Sequence, residues 1–263
     1  MATLSHLVTA MAWATGVPRS TVFAYGRFAR EGGLIAQKTR GPGAAVMGVR
    51  DAANLLIAAC GTDITRSASD TIKELRPLKG TVHTHSSSAL AWLSPLGLGL
   101  REDLAVLKPD LGSFLEFLIE SSASGALYSF LSKIPFDRWP PAVFLGDKSR
   151  DKSLGPLDNM AKLRIEFFRG SPMVNVRVER WWRGTSDVVV DLGFLGSAAK
   201  FPKFGTPSDL HTSVVISAVT LAAVGFTIKD KPIPGRIRRM RNPKFHHFFT
   251  EQIVPSAGKG SPS

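Results

Sequence analysis

The stretch Val8 to Leu34, VTAMAWATGVPRSTVFAYGRFAREGGL, decides how the N-terminal part of the chain is read. Ala12 is a small residue midway along a first apolar helical pattern, where a second helix can cross closely. Gly16 follows four residues later as the tight-turn residue, and Val17 packs behind it. Pro18 stands where a helix starts, because its missing N–H is one that a first turn leaves unpaired anyway. Val22 and Tyr25, three apart, give the second helix its inner face. Arg27 to Leu34, RFAREGGL, then reads as a helix ending in a glycine cap.

The flanks extend this pattern. Ile35 to Lys38 is predicted as a first strand, Thr39-Arg40-Gly41-Pro42-Gly43 as a tight basic loop, and Ala44 to Met47 as the return strand. A third helix, Val49 to Ala59, closes the core with Leu55, Leu56 and Ala59 at helical spacing.

The string A-W-A-T-G-V-P-R-S-T-V (Ala12 to Val22) resembles the helix-turn-helix of bacterial repressors, the lactose-repressor type among them, where a G-V-x-x-S-T-V run opens the recognition helix. AREGGLI followed by a basic glycine-rich loop is similar to the winged-helix regulators. The resemblance covers only the N-terminal module. It implies a second helix lying in the major groove of duplex DNA, with Arg19, Ser20, Thr21 and Phe23 facing the bases or nearby phosphates. It implies that Arg27, Arg30, Lys38 and Arg40 contact phosphates, the last two from the wing. It also implies a homodimer reading two half-sites about one helical turn apart.

Charge supports that direction. The 263 residues carry a net +12, with pI near 10.2, and the excess sits at the two ends. Residues 1–50 hold six basic side chains against Glu31 alone, a net +5, and residues 229–263 a net +6. The 178 residues between them carry only +1. A basic balance points to an anionic partner and says nothing about fold. The cluster Gly235 to Arg241, GRIRRMR, reads three ways: a second nucleic-acid contact, an anchor to anionic lipid, or a solvated basic face.

The remainder divides by period. Residues 62–134 look mainly helical, with Ile72, Leu75 and Leu78 in one apolar row and Leu111, Phe114, Leu115 and Leu118 in another, the latter capped by Asp110. Residues 135–158, with four prolines, read as a linker or long loop. After that the period becomes two: Leu163, Ile165 and Phe167, then Val174, Val176 and Val178, predict a hairpin with Trp181 and Trp182 at its end. Asp187 to Asp191 supplies a third strand, Ser213 to Ser217 a fourth, and Ala218 to Val224 a short covering helix. Residues 255–263 are a frayed tail.

The expected architecture is therefore α+β. It has a winged helix-turn-helix at 1–61, a helical region at 62–134, a linker at 135–158, and an α+β domain with a small antiparallel sheet at 159–254.

Other chemistries have little behind them. Cys60 is the one cysteine, so there is no internal disulfide, which fits a reducing, cytoplasmic setting with association to the nucleoid. The N-terminal stretch MATLSHLVTAMAWATG lacks the basic start and the cleavage site of a secretory signal, so none is expected. His83 and His85 have H-x-H spacing but no third ligand nearby, and His246 and His247 read as packing or surface residues, so no metal is expected. G-x-S-x-G, G-x-G-x-x-G and the P-loop pattern are absent, so neither catalysis nor a cofactor is expected. Residues 213–228 are too short and too rich in Ser and Thr for the ~20 apolar residues of a span, though they are the one candidate for a membrane anchor. The leading expectation is a sequence-specific duplex-DNA-binding regulator of transcription, such as a bacterial or phage repressor. The alternatives are an accessory protein of replication, partition or recombination in a mobile element, and a membrane-associated protein held by 213–228.

Overall fold

A computed structural model describes residues 2–37, 45–82, 106–127, 131, 161–169, 171–182, 185–196 and 213–232. Their order is α1 (Leu4–Thr15), α2 (Arg19–Glu31), α3 (Val49–Gly61), a 3-10 turn (Thr65–Ser67), α4 (Ala68–Leu75), β1 (Lys79–Val82), β2 (Val106–Asp110) and α5 (Leu111–Ser124). Then come β3 (Lys162–Phe168), β4 (Met173–Trp182), β5 (Thr185–Leu195), β6 (Ser213–Ser217) and α6 (Ala218–Ile228). The class is α+β: helices packed on one antiparallel sheet.

Among the described residues the sheet has six strands in the order β2-β1-β5-β4-β3-β6, every neighbouring pair antiparallel. The period-two reading places its centre correctly. Leu163, Ile165 and Phe167 of β3, Val174, Val176 and Val178 of β4, and Val190, Leu192 and Phe194 of β5 are all buried. The alternate residues form the second face, where Arg177 Nε lies 3.3 Å from Asp191 Oδ1 across β4 and β5. On the buried face the rings of Phe114 (α5) and Phe194 (β5) stand 5.3 Å apart at 46°, which seats α5 on the sheet.

Two predicted features are corrected. The mainly helical reading of 62–134 fails at Lys79–Val82 and Val106–Asp110, which are strands. Both are short and lack alternation, and β1 becomes a strand by pairing with β5, Gly80 opposite Phe194. The wing strands are absent among the described residues: Ile35 to Gln37 and Ala45 to Met47 have no strand pairing. Ile35 and Met47 are instead buried in the helical core, and the Met47 N–H donates to the Ala2 carbonyl at 2.9 Å. Burying those two apolar side chains outweighs a small two-stranded ladder.

Other expectations match. α3 is found at Val49–Gly61, and every residue from Ala52 to Cys60 is buried, so this helix is the centre of the core rather than an amphipathic cover. Asp110 caps α5, its Oδ1 accepting the Ser113 N–H at 2.8 Å. Ser213–Ser217 is a strand and Ala218–Ile228 an 11-residue helix, so the candidate anchor is divided between sheet and helix. Among the described residues no helix is long and apolar enough to cross a membrane. The buried side chains of α1 to α6 and of the sheet belong to one continuous apolar core. Residues 135–158, the tail 255–263, His83, His85, His246, His247 and the basic cluster 236–241 lie outside the described residues.

Candidate nucleic-acid interface

The α1–α2 pair is built as its local sequence dictates. α1 starts at Thr3, whose Oγ1 accepts the His6 N–H, and stops at Gly16. Gly16 has φ +77°, a left-handed conformation cheap only for glycine, and its N–H donates to the Ala12 carbonyl at 3.0 Å. Thr15 Oγ1 accepts the Val17 N–H and donates to the Met11 carbonyl, tightening the turn. Pro18 then opens α2 without a side-chain cap, and the first turn of α2 has no acidic residue. At its far end Gly33 takes φ +72° and the Leu34 N–H returns to the Ala29 carbonyl at 2.9 Å.

The inner face of α2 is Val22, Tyr25, Gly26 and Ala29, all buried. Tyr25 Oη donates to the Thr62 carbonyl at 2.6 Å, and Ser69 Oγ donates to the Phe28 carbonyl at 3.0 Å. Gly26 is the close-approach point: a Cβ there would sit 3.1 Å from Leu4 Cδ1 of α1. The sequence reading assigned that role to Ala12 alone, which is only partly buried. The signal for Gly26 was there, a glycine costing helix stability in mid-helix without an obvious reason.

The outer face is a stripe. Arg19, Ser20, Phe23 and Arg27 are exposed at helical spacing, with Phe23 half-exposed at 50%. A large apolar ring in water amid polar and cationic neighbours is the unusual member. The Arg27 guanidinium lies 4.6 Å from the Phe28 ring centroid and 3.4 Å from Glu31, so it is oriented along the helix. That exposed ion pair is weak and exchangeable for another anion.

The other predicted contacts are placed differently. Arg19 is exposed but folds back over α1: Nε donates to Thr9 Oγ1 at 3.1 Å and Nη2 to Ser5 Oγ at 2.9 Å. Thr21 and Arg30 are partly buried, and Arg30 Nε is buried with no hydrogen-bond partner among the described residues. Lys38 and Arg40 lie outside the described residues.

Both ends of the segment that carries them are held by one carboxylate. Asp51 Oδ1 accepts the Ala36 N–H at 2.9 Å and Oδ2 the Gly48 N–H at 2.8 Å. The residues after α2 are also tied to the core, since Asn54 Nδ2 donates to the Leu34 carbonyl at 2.6 Å. Asn54 Oδ1 accepts from Arg76 Nη1 at 2.6 Å, and Arg76 pairs in turn with Glu116 of α5. The sequence reading missed Asp51 and Asn54. Asp51, three residues after Gly48, has the spacing of a helix-start acceptor; Asn54 is a polar residue in an otherwise apolar helix.

Among the described residues no group of three or more His, Cys, Asp and Glu is placed to hold a metal ion. The Cys60 thiol is fully buried, and that burial pushes its pKa up to about 12 against the opposing pull of Arg169, so it is a core side chain and not a nucleophile. Comparison with protein-family models, curated proteins and solved structures found no match to this chain.

Proposed function

We propose that this chain is a sequence-specific duplex-DNA-binding protein that regulates transcription, reading DNA with the outer face of α2 and acting by binding rather than catalysis. One observation carries the reading. α2 is locked on its inner side by Val22, Tyr25, Gly26 and Ala29, yet turns a row of Ser20, Phe23 and Arg27 to solvent. A helix held rigidly from behind, with a hydroxyl, a ring and a guanidinium outward, fits the needs of a major-groove reader. The hydroxyl contacts a base edge or phosphate, the ring a thymine methyl, and the guanidinium a phosphate. The helix pair supports this electrostatically, since Glu31 is its one acidic residue.

Arg19 takes a revised role on this reading. Its two hydrogen bonds to α1 align it across the first helix, which in such modules crosses the phosphate backbone. It is a backbone contact rather than a base reader.

The test is selection of duplexes from a random library by the purified full chain, followed by binding of the selected sequence. One enriched motif is expected. Phe23→Ala and Ser20→Ala should each weaken binding by ~5–150-fold, the range of one specific base contact, and relax selectivity at one position. Arg27→Ala should weaken all sequences alike and lower the salt slope by about one unit. No enriched motif, or three variants that bind like the parent, would overturn the reading. A reporter bearing the selected site then separates transcriptional regulation from other uses of duplex binding.

A further inference from the structure

The two edges of the sheet are built on opposite principles. At one edge, β2 reads VLKPD, with Lys108 and Pro109, and its pairing with β1 slips in register between Lys79 and Thr81. A lysine, a proline and an irregularity are the usual devices that stop an edge strand from recruiting another. At the other edge, β6 reads SVVIS, with no charge, proline or glycine. It runs in unbroken register with β3 from Ser213 opposite Phe168 to Ser217 opposite Arg164, and no described strand pairs with its outer side.

β6 is also self-complementary. About Val215, its residue types read nearly the same in both directions. In an antiparallel pair of two copies centred there, Val215 opposes Val215, Val214 opposes Ile216, and Ser213 opposes Ser217. Ile216 is buried and Val214 packs against the core, so the pairing would continue the inner apolar layer from one copy to the next. Val215, 45% exposed, stands on the opposite face, where pairing would cover two valines that each copy alone leaves in water.

We propose that β6 is a homodimer interface, at which a second copy of this chain adds its own β6 antiparallel about Val215 to make one continuous sheet. An isologous contact of this kind is closed, so it yields a dimer and not a fibre. Its position suits the proposed function without depending on it. α6 follows β6 directly and packs against α1, so the two-fold axis lies at the sheet edge bordering the DNA-reading helices and relates the two copies of α2.

The test is the oligomeric state of the full chain, measured by sedimentation equilibrium without DNA. The parent should be a dimer. Val215→Lys installs at this edge the device that β2 already carries. It places two ammonium groups opposite each other in a dimer but lets each face Glu166 within its own sheet, so the monomer keeps its fold. The Val215→Lys dimer should weaken, its dissociation constant rising roughly tenfold or more, while Val215→Thr stays dimeric. In an independent measurement, Val215→Cys should cross-link to itself with a short bismaleimide, since the buried Cys60 thiol does not compete. A monomeric parent, with the edge taken by another segment of its own chain or left open, overturns the proposal. So does a parent dimer that Val215→Lys leaves intact, or a Val215→Cys protein that fails to cross-link. Loss of DNA binding by a variant that remains dimeric bears on α2 instead.

Discussion

Replacing Asn54 by alanine tests whether the polar link through the core is structural or incidental. Asn54 is 1% exposed and makes two hydrogen bonds at 2.6 Å, one to the Leu34 carbonyl and one from the Arg76 guanidinium. The neutral bond contributes about 0.5–1.5 kcal/mol and the charge-assisted one about 1.5–3 kcal/mol. Both partners are part-buried, and among the described residues the Arg76 guanidinium keeps its pairing with Glu116. The expected loss is therefore about 3 kcal/mol, a fall in Tm of roughly 6–12 °C for a chain of this size. Urea unfolding followed by circular dichroism gives the free energy, and calorimetry the Tm. Asn54→Ala, Arg76→Met and the double variant should show a coupling of about 1.5–3 kcal/mol. A loss under about 1 kcal/mol, or additive single variants, would mean that solvent replaces the link and that the path from Leu34 to α5 carries nothing.

Three further outcomes follow from individual contacts. Tyr25→Phe strips the hydroxyl that reaches the Thr62 carbonyl and should cost about 1 kcal/mol in the same unfolding assay. Gly225→Ala tests a close approach: the added Cβ would lie 2.6 Å from the Ile119 carbonyl oxygen, so overpacking of ~1–3 kcal/mol should exceed the helix-propensity gain of ~1 kcal/mol, and a rise in Tm would refute it. Cys60 sets an alkaline limit. Its pKa rises from 9.0 to about 12 on folding, so its contribution is intact below pH 9 and is lost as pH climbs toward 12. Stability should fall there by about 1.4 kcal/mol per pH unit from this group, and Cys60→Ala should remove that part of the slope while leaving that of Tyr25, whose pKa burial also raises. An unchanged slope in Cys60→Ala would show that the thiol is not shielded as its burial implies.

What was legible in the sequence was whatever a single segment decides for itself. The alternation in Leu163, Ile165 and Phe167 specifies a half-buried strand, because only that geometry sends every second side chain inward. Gly16, Pro18, Val22 and Tyr25 specify a turn and a helix face by the same local logic. β1 was illegible because its state is conferred by β5, more than a hundred residues away in sequence, and β2 because it pairs in turn with β1. The wing was misread for a related reason. Ile35 and Met47 are equally good strand residues and core residues, and the choice was made by the apolar core that buries both. Arg19 illustrates the limit at a site: its place on the outer face follows from spacing, but its direction is set by Ser5 and Thr9 on the preceding helix.

The way α2 is mounted has a consequence for how the proposed reader would work. α2 packs on α1, α3 and α4, and α3 packs in turn on α5, α6 and the sheet. From the sheet, Arg169 reaches back to the Cys60 carbonyl at 3.3 Å and pairs with Asp63, next to the carbonyl that receives Tyr25. The α1–α2 pair therefore shares its core with the β6 edge instead of riding on a linker. A linker lets two reading heads adapt to sites at several spacings, because its entropy changes slowly with length. A shared core does not, since interiors packed to crystal-like density transmit displacement rather than absorb it. If two copies join at β6, the separation and rotation of the two α2 stripes are set by the folded core, and such a dimer discriminates half-site spacing as sharply as base sequence.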